Sequence, residues 1–319
     1  MNSRRTSPVC PDFPRGSRAT SICQLPPPLR PGDGLRVIAP SGTVRELAAF
    51  QAGVDIWRQR GYRVHLSPGY DDCWGYLAGD DASRRRQLQQ AWLDPDCRGI
   101  LCARGGFGGT RLLEDWHWPS SEPKWLIGFS DITSLLWSLA KLGIAGVHGP
   151  LLTTLAQEPP WSRQRLFDCL EGRSLAPLSG RGWGQGWVRG RLLPANLTVA
   201  THLLGTPDEP DLDGAILAFE DVSEAPYRLD RLLTHWRASG KLQRIAGIAL
   251  GRFSRCAPAE GTPSFQVAEV LCDRIGDLGI PVVSELPFGH DGVNAALPVG
   301  VQAELDGDQG HLTLLAPAG

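Results

Sequence analysis

Beyond the first two dozen residues, apolar positions along the chain switch between the two periods that separate strands from helices. "GLRVIAP" (34–40) predicts a strand, "TVRELAAFQAGVDIWRQRG" (43–61) a helix stopped at Gly61, and "YRVHLSP" (62–68) a second strand, together a βαβ unit. A further helix is expected over 81–93 with Asp80 or Asp81 as its cap, then the strand "RGILCAR" (98–104). "KWLIGF" (124–129) reads as another strand, entering a helix from Asp131 to Leu142 that Gly143 closes. In that helix Ile132, Leu135, Leu136 and Leu139 fall on one face, which packs on the sheet while the helix start faces the carboxyl ends of the strands. Such alternation implies an α/β fold: a mostly parallel sheet covered by helices on both faces.

The pattern breaks between 156 and 190, where Pro, Gly, Trp and Arg dominate ("AQEPPWSRQR", "PLSGRGWGQGWVRGR"), the composition of a boundary. It resumes with the strand "GAILAFEDV" (214–222), a helix over 225–240, the strand "IAGIALGRF" (245–253), a helix over 264–279 and the strand-to-loop segment "IPVVSELPFGHDG" (280–292). "VGVQAELDGDQGHLTLLA" (299–316) reads as a hairpin. The expected organisation is a disordered extension over 1–26, a first α/β domain over 27–155, a linker over 156–190 and a second domain over 191–319, with no internal repeat.

Composition narrows the classes. A net charge of -2 with dispersed Arg, Asp and Glu leaves no basic stripe for phosphates, so nucleic acid is not an expected partner. No apolar run approaches the ~20 residues a membrane helix needs. The 8 cysteines include no C-x-x-C pair, which argues against a zinc ribbon or disulfide scaffold and for reduced thiols in the cytoplasm. Residues 1–24 carry an Arg4-Arg5 pair but no apolar segment after it, so an export leader is not expected. Neither H-x-H nor H-E-x-x-H occurs, so a metal site is not expected.

Candidate chemistry begins with "LIGFSDIT" (126–133), a strand, a tight turn with Ser130, and a helix. This is the layout of a nucleophile elbow, but the glycine expected two places after the serine is Ile132, and a serine there is also an ordinary helix cap. The turn "RGGFGGTRLLEDW" (104–116) also joins a strand to a helix, so its glycines belong at the same sheet edge; Arg104 beside them suits a carboxylate. A serine nucleophile needs a base and a group that orients it. His290 in "LPFGHDG" and His148 in "GVHGP" are the candidate bases, and Glu220 and Asp221 at the end of "AILAFED" the candidate acids.

Five blocks, "PGDGLRVIAPSG", "GYLAGDDASRRRQLQQAWLDPDCRGILCARGGFGGTRLL", "KWLIGFSDITSLLWSLAKLGIAGVHGPLL", "ILAFEDVSEAPYRLDRLL" and "LPFGHDGVNAALPVG", resemble in order those of the serine LD-carboxypeptidases. That family comprises muramoyl-tetrapeptide carboxypeptidases and the related microcin C immunity peptidases. The resemblance implies an N-terminal α/β domain similar to class I glutamine amidotransferases and a C-terminal α/β domain with a swivelling, barrel-like sheet. It implies Ser130 as nucleophile, Glu220 as acid and His290 as base, set on two domains so that activity depends on closure. The N–H of Asp131 with one from Gly105 or Gly106 would form the oxyanion hole, and Arg104 would hold the substrate's terminal carboxylate. The implied partner is a murein tetrapeptide or muropeptide losing its terminal D-alanine, or else a peptidyl or aminoacyl nucleotide amide, and the implied assembly is a homodimer. Pro194-Ala195-Asn196-Leu197 departs from the family's Gly-Gly-Asn-Leu, and Trp183 and Trp187 are candidates to stack on a ligand.

Overall fold

A computed structural model describes residues 22–315. The first half carries strands β1 (Gly34–Ile38), β2 (Arg63–Leu66), β3 (Cys97–Cys102), β4 (Trp125–Gly128) and β5 (Val147–His148), all parallel, in the order β5-β4-β3-β1-β2. Its helices are α1 (Leu47–Gln59), α2 (Asp81–Leu93), α3 (Gly109–Leu112), α4 (Thr133–Lys141), α5 (Leu152–Leu155) and α6 (Pro160–Leu170). Asp80 caps α2 by accepting from the Ser83 N–H at 2.6 Å. Helix α1 starts later than its apolar pattern suggests, because Thr43 is held in a loop by its hydroxyl, which donates to the Leu77 carbonyl at 2.7 Å.

The second half carries β6 (Leu178–Ser179), β7 (Arg181–Gly182), β8 (Trp187–Asn196), β9 (Ile216–Val222), β10 (Gly247–Ser254), β11 (Val282–Ser284), β12 (Leu297–Pro298), β13 (Gln302–Asp306) and β14 (His311–Leu314). Helices α7 (Leu197–Leu203), α8 (Pro226–Ala238) and α9 (Val267–Ile275) cover it. Strands β8 to β11 are parallel neighbours, β13 and β14 form the expected antiparallel hairpin, and the order is β6-β14-β13-β8-β9-β10-β11-β7. The two edge strands β6 and β7 are separated in sequence by Gly180 alone, so one extended segment joins both edges and curls the sheet into a barrel. The barrel is filled by Leu192, Ile216, Ala249, Val283, Phe288 and Leu305 among others. Two α/β units, the second barrel-like, are therefore what the sequence led us to expect.

The boundaries differ. Residues 156–190 are no linker: α6 buries Leu166, Phe167 and Leu170 in the first core, and β6 and β7 belong to the barrel. Proline and glycine there mark the N-terminus of α6 and the close approach of backbones, a Cβ on Gly182 falling 2.0 Å from the Gly307 carbonyl oxygen. Most of the expected N-terminal extension, 1–21, lies outside the described residues, but Cys23 is buried and its N–H donates to the Gly300 carbonyl at 2.9 Å. Strand β12 leaves the second half and adds antiparallel to β5, pairing Leu297 with His148.

Helix α4 also differs from its one-faced pattern, since every residue from Thr133 to Ala140 is buried. The second half covers the remaining face, and one continuous core joins Leu136 and Trp137 of α4 to Leu193, Leu197 and Phe219. Among the described residues no helix is long and apolar enough to cross a membrane, and the seven cysteines are free thiols.

Candidate active site

Four buried residues of β4 deliver the chain to Phe129, which is extended, and then to Ser130 at φ 63°. A left-handed serine costs about 1–3 kcal/mol and persists only where its surroundings impose it, as in the strained strand-to-helix turn of a nucleophile elbow. Capping is excluded directly: Phe129 stands at the cap of the short turn 130–132 and Ile132 at that of α4, neither with a side-chain cap bond. Ile132 takes the place of the second glycine because the first one makes room for it. A Cβ on Gly128 would lie 2.9 Å from Ile132 Cγ1 and 3.1 Å from Cys102 Cβ.

The glycine-rich turn lies against this serine, as both follow adjacent parallel strands. A Cβ on Gly105 would fall 3.1 Å from Ser130 Cβ and 3.2 Å from its Oγ, so the backbone approaches the hydroxyl as only glycine allows. Gly106, at φ 112°, rests against the Gly42 backbone. The buried Asp131 carboxylate binds the two loops together, accepting from the Ser41 hydroxyl and from the Gly109 N–H at 2.7 Å. Burial pushes the Asp131 carboxyl up against the opposing pull of these bonds. Arg84, fully buried, donates to the Pro40 and Gly108 carbonyls and pairs with Asp81, which also binds Arg111. Arg104 does not point freely at the serine: its guanidinium donates to the Thr43 carbonyl at 3.1 Å and pairs with the exposed Glu46 at 3.3 Å.

From the barrel, the end of β9 supplies Glu220, wholly buried, whose Oε2 lies 2.6 Å from His290 Nδ1. The His290 ring packs on Phe129, centroids 4.6 Å apart, and its side chain keeps 15% of its surface exposed. Ser130, Phe129, His290 and Glu220 are thus contiguous, although among the described residues no hydrogen bond joins Ser130 Oγ to His290. His148 is the other histidine here, fully buried edge-on to Phe129 and Phe288, with neither ring nitrogen partnered among the described residues. Burial drives its pKa down to about 4, leaving a neutral ring with no opening through which to reach substrate.

Asp221 faces away from His290, accepting from the Thr198 N–H and hydroxyl and from Val222 N–H, with burial and Glu220 beside it raising its pKa to about 6. The residue that sequence reasoning undervalued is Asn196. Its Nδ2 donates to Asp221 at 3.0 Å and Glu220 at 3.3 Å, its Oδ1 caps α7 through Val199 N–H, and its own N–H donates to Thr133 Oγ1 of α4. The signal was an Asn at a strand-to-helix junction, masked by the neighbouring Pro194 and Ala195. Of these, Pro194 accepts a hydrogen bond on its carbonyl from Trp137 Nε1 at 3.0 Å. Among the described residues no cluster of three or more His, Cys, Asp or Glu is placed to hold a metal ion.

Comparisons with known proteins match both halves of the chain. The LD-carboxypeptidase N-terminal domain profile matches residues 35–149, and the C-terminal domain profile residues 189–305. A putative carboxypeptidase of Synechocystis sp. is 62% identical over 91% of this chain and 97% of its own. The crystal structure of a muramoyltetrapeptide carboxypeptidase from Oxalobacter formigenes superposes with TM-score 0.79 at 30% identity, covering 88% of this chain and 97% of that one. The microcin C7 self immunity protein in complex with aspartyl sulfamoyl adenosine shares the fold, with TM-score 0.81 at 23% identity over 92% of this chain and 98% of that one. On both halves, the chain belongs to the LD-carboxypeptidase family of peptidases.

Proposed function

We propose that the protein is a serine carboxypeptidase that hydrolyses the LD peptide bond releasing the terminal D-alanine of murein tetrapeptides. The observation that carries this reading is the buried Glu220 paired with His290, whose ring packs on Phe129, the residue before the strained Ser130. Ser130 attacks the scissile carbonyl; His290 takes its proton through Nε2 and returns it to the leaving amine; Glu220 fixes the Nδ1–H tautomer and stabilises the imidazolium. The Asp131 N–H and one from Gly105 or Gly106 receive the oxyanion, each such donor being worth roughly 3–4 kcal/mol. Arg104 takes the terminal carboxylate in exchange for Glu46. Water then repeats the attack on the acyl-enzyme with the same base, and no cofactor enters.

Incubating a murein tetrapeptide with the protein should release D-alanine by mass spectrometry, and Ser130→Ala should abolish it. Equal release by that variant would sink the proposal. A nucleotide-amide substrate, the alternative on the same chemistry, asks for an aromatic platform near the site. Trp187 stands nine positions before Asn196 on β8, about 30 Å away at strand rise, and Trp183 already donates its indole N–H to Ser284 Oγ. Neither supports that substrate within one chain, and turnover of an aminoacyl sulfamoyl adenosine beside that of tetrapeptide separates the two.

A further inference from the structure

His290 belongs by sequence to the second half, yet the segment that carries it is fastened to the first. The Asn294 N–H donates to Glu158 Oε2 at 2.8 Å, the Arg165 guanidinium donates to the Ala296 carbonyl at 3.1 Å, and Leu297 pairs with His148 on β5. Glu158 lies just ahead of α6, a helix of the first core, and is itself nearly buried. Its Oε2 also accepts from the Ser162 hydroxyl at 2.7 Å, within that helix.

Asn294 passes this hold on. Fully buried, it accepts the Gly289 N–H on Oδ1 at 3.1 Å, closing the loop 289–294 at its stem while the tip at Asp291 and Gly292 stays exposed. Gly289, at φ 128°, lies against Glu220, where a Cβ would come 3.3 Å from Glu220 Cβ. The next residue is His290. A chain of two hydrogen bonds therefore leads from a carboxylate on the nucleophile's half to the backbone beside the base, whereas Glu220 reaches the imidazole from the barrel.

We propose that Glu158 is a positioning residue: through Asn294 it sets the His290 loop relative to Ser130, so that the base is registered on the serine's own half and only its acid partner comes from the other. This rests on the reading of Ser130 and His290 given above. Holding two reacting groups in line is sensitive to shifts of about 1 Å, which cost on the order of 100-fold in rate. A buried carboxylate accepting two donors on one oxygen fixes position without contacting substrate.

The test measures tetrapeptide turnover and, independently of substrate, the rate at which a fluorophosphonate labels Ser130. Glu158→Ala should lower kcat and labelling about 30- to 100-fold with KM changed less than about threefold. Glu158→Gln, which keeps an acceptor oxygen, should stay within about threefold of the parent, as should Ser162→Ala, which loosens α6 but not the loop. Labelling of Glu158→Ala at the parent rate overturns the proposal, and so does equal loss in all three variants, which would mean packing rather than the acceptor. Should Glu158→Ala not fold, Asn294→Ala removes the Gly289 acceptor instead, and an unchanged labelling rate there is equally fatal. Ser130→Ala and His290→Ala run alongside. If either keeps parental turnover, the site has been misread; if both lose it while Glu158→Ala does not, only the role of Glu158 fails.

Discussion

Single atoms decide whether the serine turn exists. Gly128→Ala would force a methyl against Ile132 and Cys102, and overpacking of this kind costs about 1–3 kcal/mol. We expect that loss in urea denaturation of Gly128→Ala. Arg104 offers a second residue-scale test: Arg104→Ala should raise KM for tetrapeptide roughly tenfold or more with a smaller change in kcat, as fits a contact that holds substrate. Two buried titratable groups pull stability in opposite directions. Asp221 at about 6, against its ordinary 3.8, takes up a proton in the folded protein before the unfolded chain does, so its contribution makes stability rise as pH falls from about 6 to about 4. His148 at about 4, against 6.5, is protonated first in the unfolded chain, so its contribution falls from about pH 6.5 down to about 4. Each amounts to about 3 kcal/mol, and they largely cancel between pH 6 and 4. Denaturation across that range should show a fall in Asp221→Asn and a rise in His148→Phe relative to the parent; identical pH profiles for all three would refute both assignments.

At the scale of elements, α4 brings serine and barrel together, because its first turn holds β8. Thr133→Val leaves the buried Asn196 N–H without its acceptor, an omission worth about 1–3 kcal/mol, and loosens the side chain that steadies Glu220. Both the unfolding midpoint and kcat/KM should fall. Gly182→Ala should be harsher, since the Cβ would meet the Gly307 carbonyl in the strap that closes the barrel; loss of the folded near-ultraviolet signal is the expected readout. These cases show what the sequence could and could not disclose. Elements with a local signal, such as α2 behind its Asp80 cap and the alternating hairpin β13–β14, were legible. Short strands in glycine- and proline-rich chain were not: β6, β7 and β12 have two residues each and owe their conformation to partners distant in sequence. For the same reason the end of β9 offered Glu220 and Asp221 as equals. Only the register of β9 against β8 and the His290 loop sends one to the imidazole and the other to Thr198.

Over the whole molecule, the two halves share one core through α4, and β12 crosses from one to the other. We therefore expect a single cooperative denaturation, coincident by tryptophan fluorescence and far-ultraviolet circular dichroism; two separated transitions would show that the seam is weaker than its packing implies. The closure that family resemblance suggested has less room here, because the His290 segment is tied to the serine's side of the seam. Strand β12 has one more consequence, in time rather than in space. Chains are made from the N-terminus and domains commonly fold as they emerge. Here the first sheet lacks its last strand until residues 297–298 have been synthesised, and Ser130 lacks the base we propose for it until 290 has. A nascent chain still short of these residues presents a strained Ser130 without the His290 imidazole, so on the proposed mechanism hydrolysis cannot begin before residue 290 has been made.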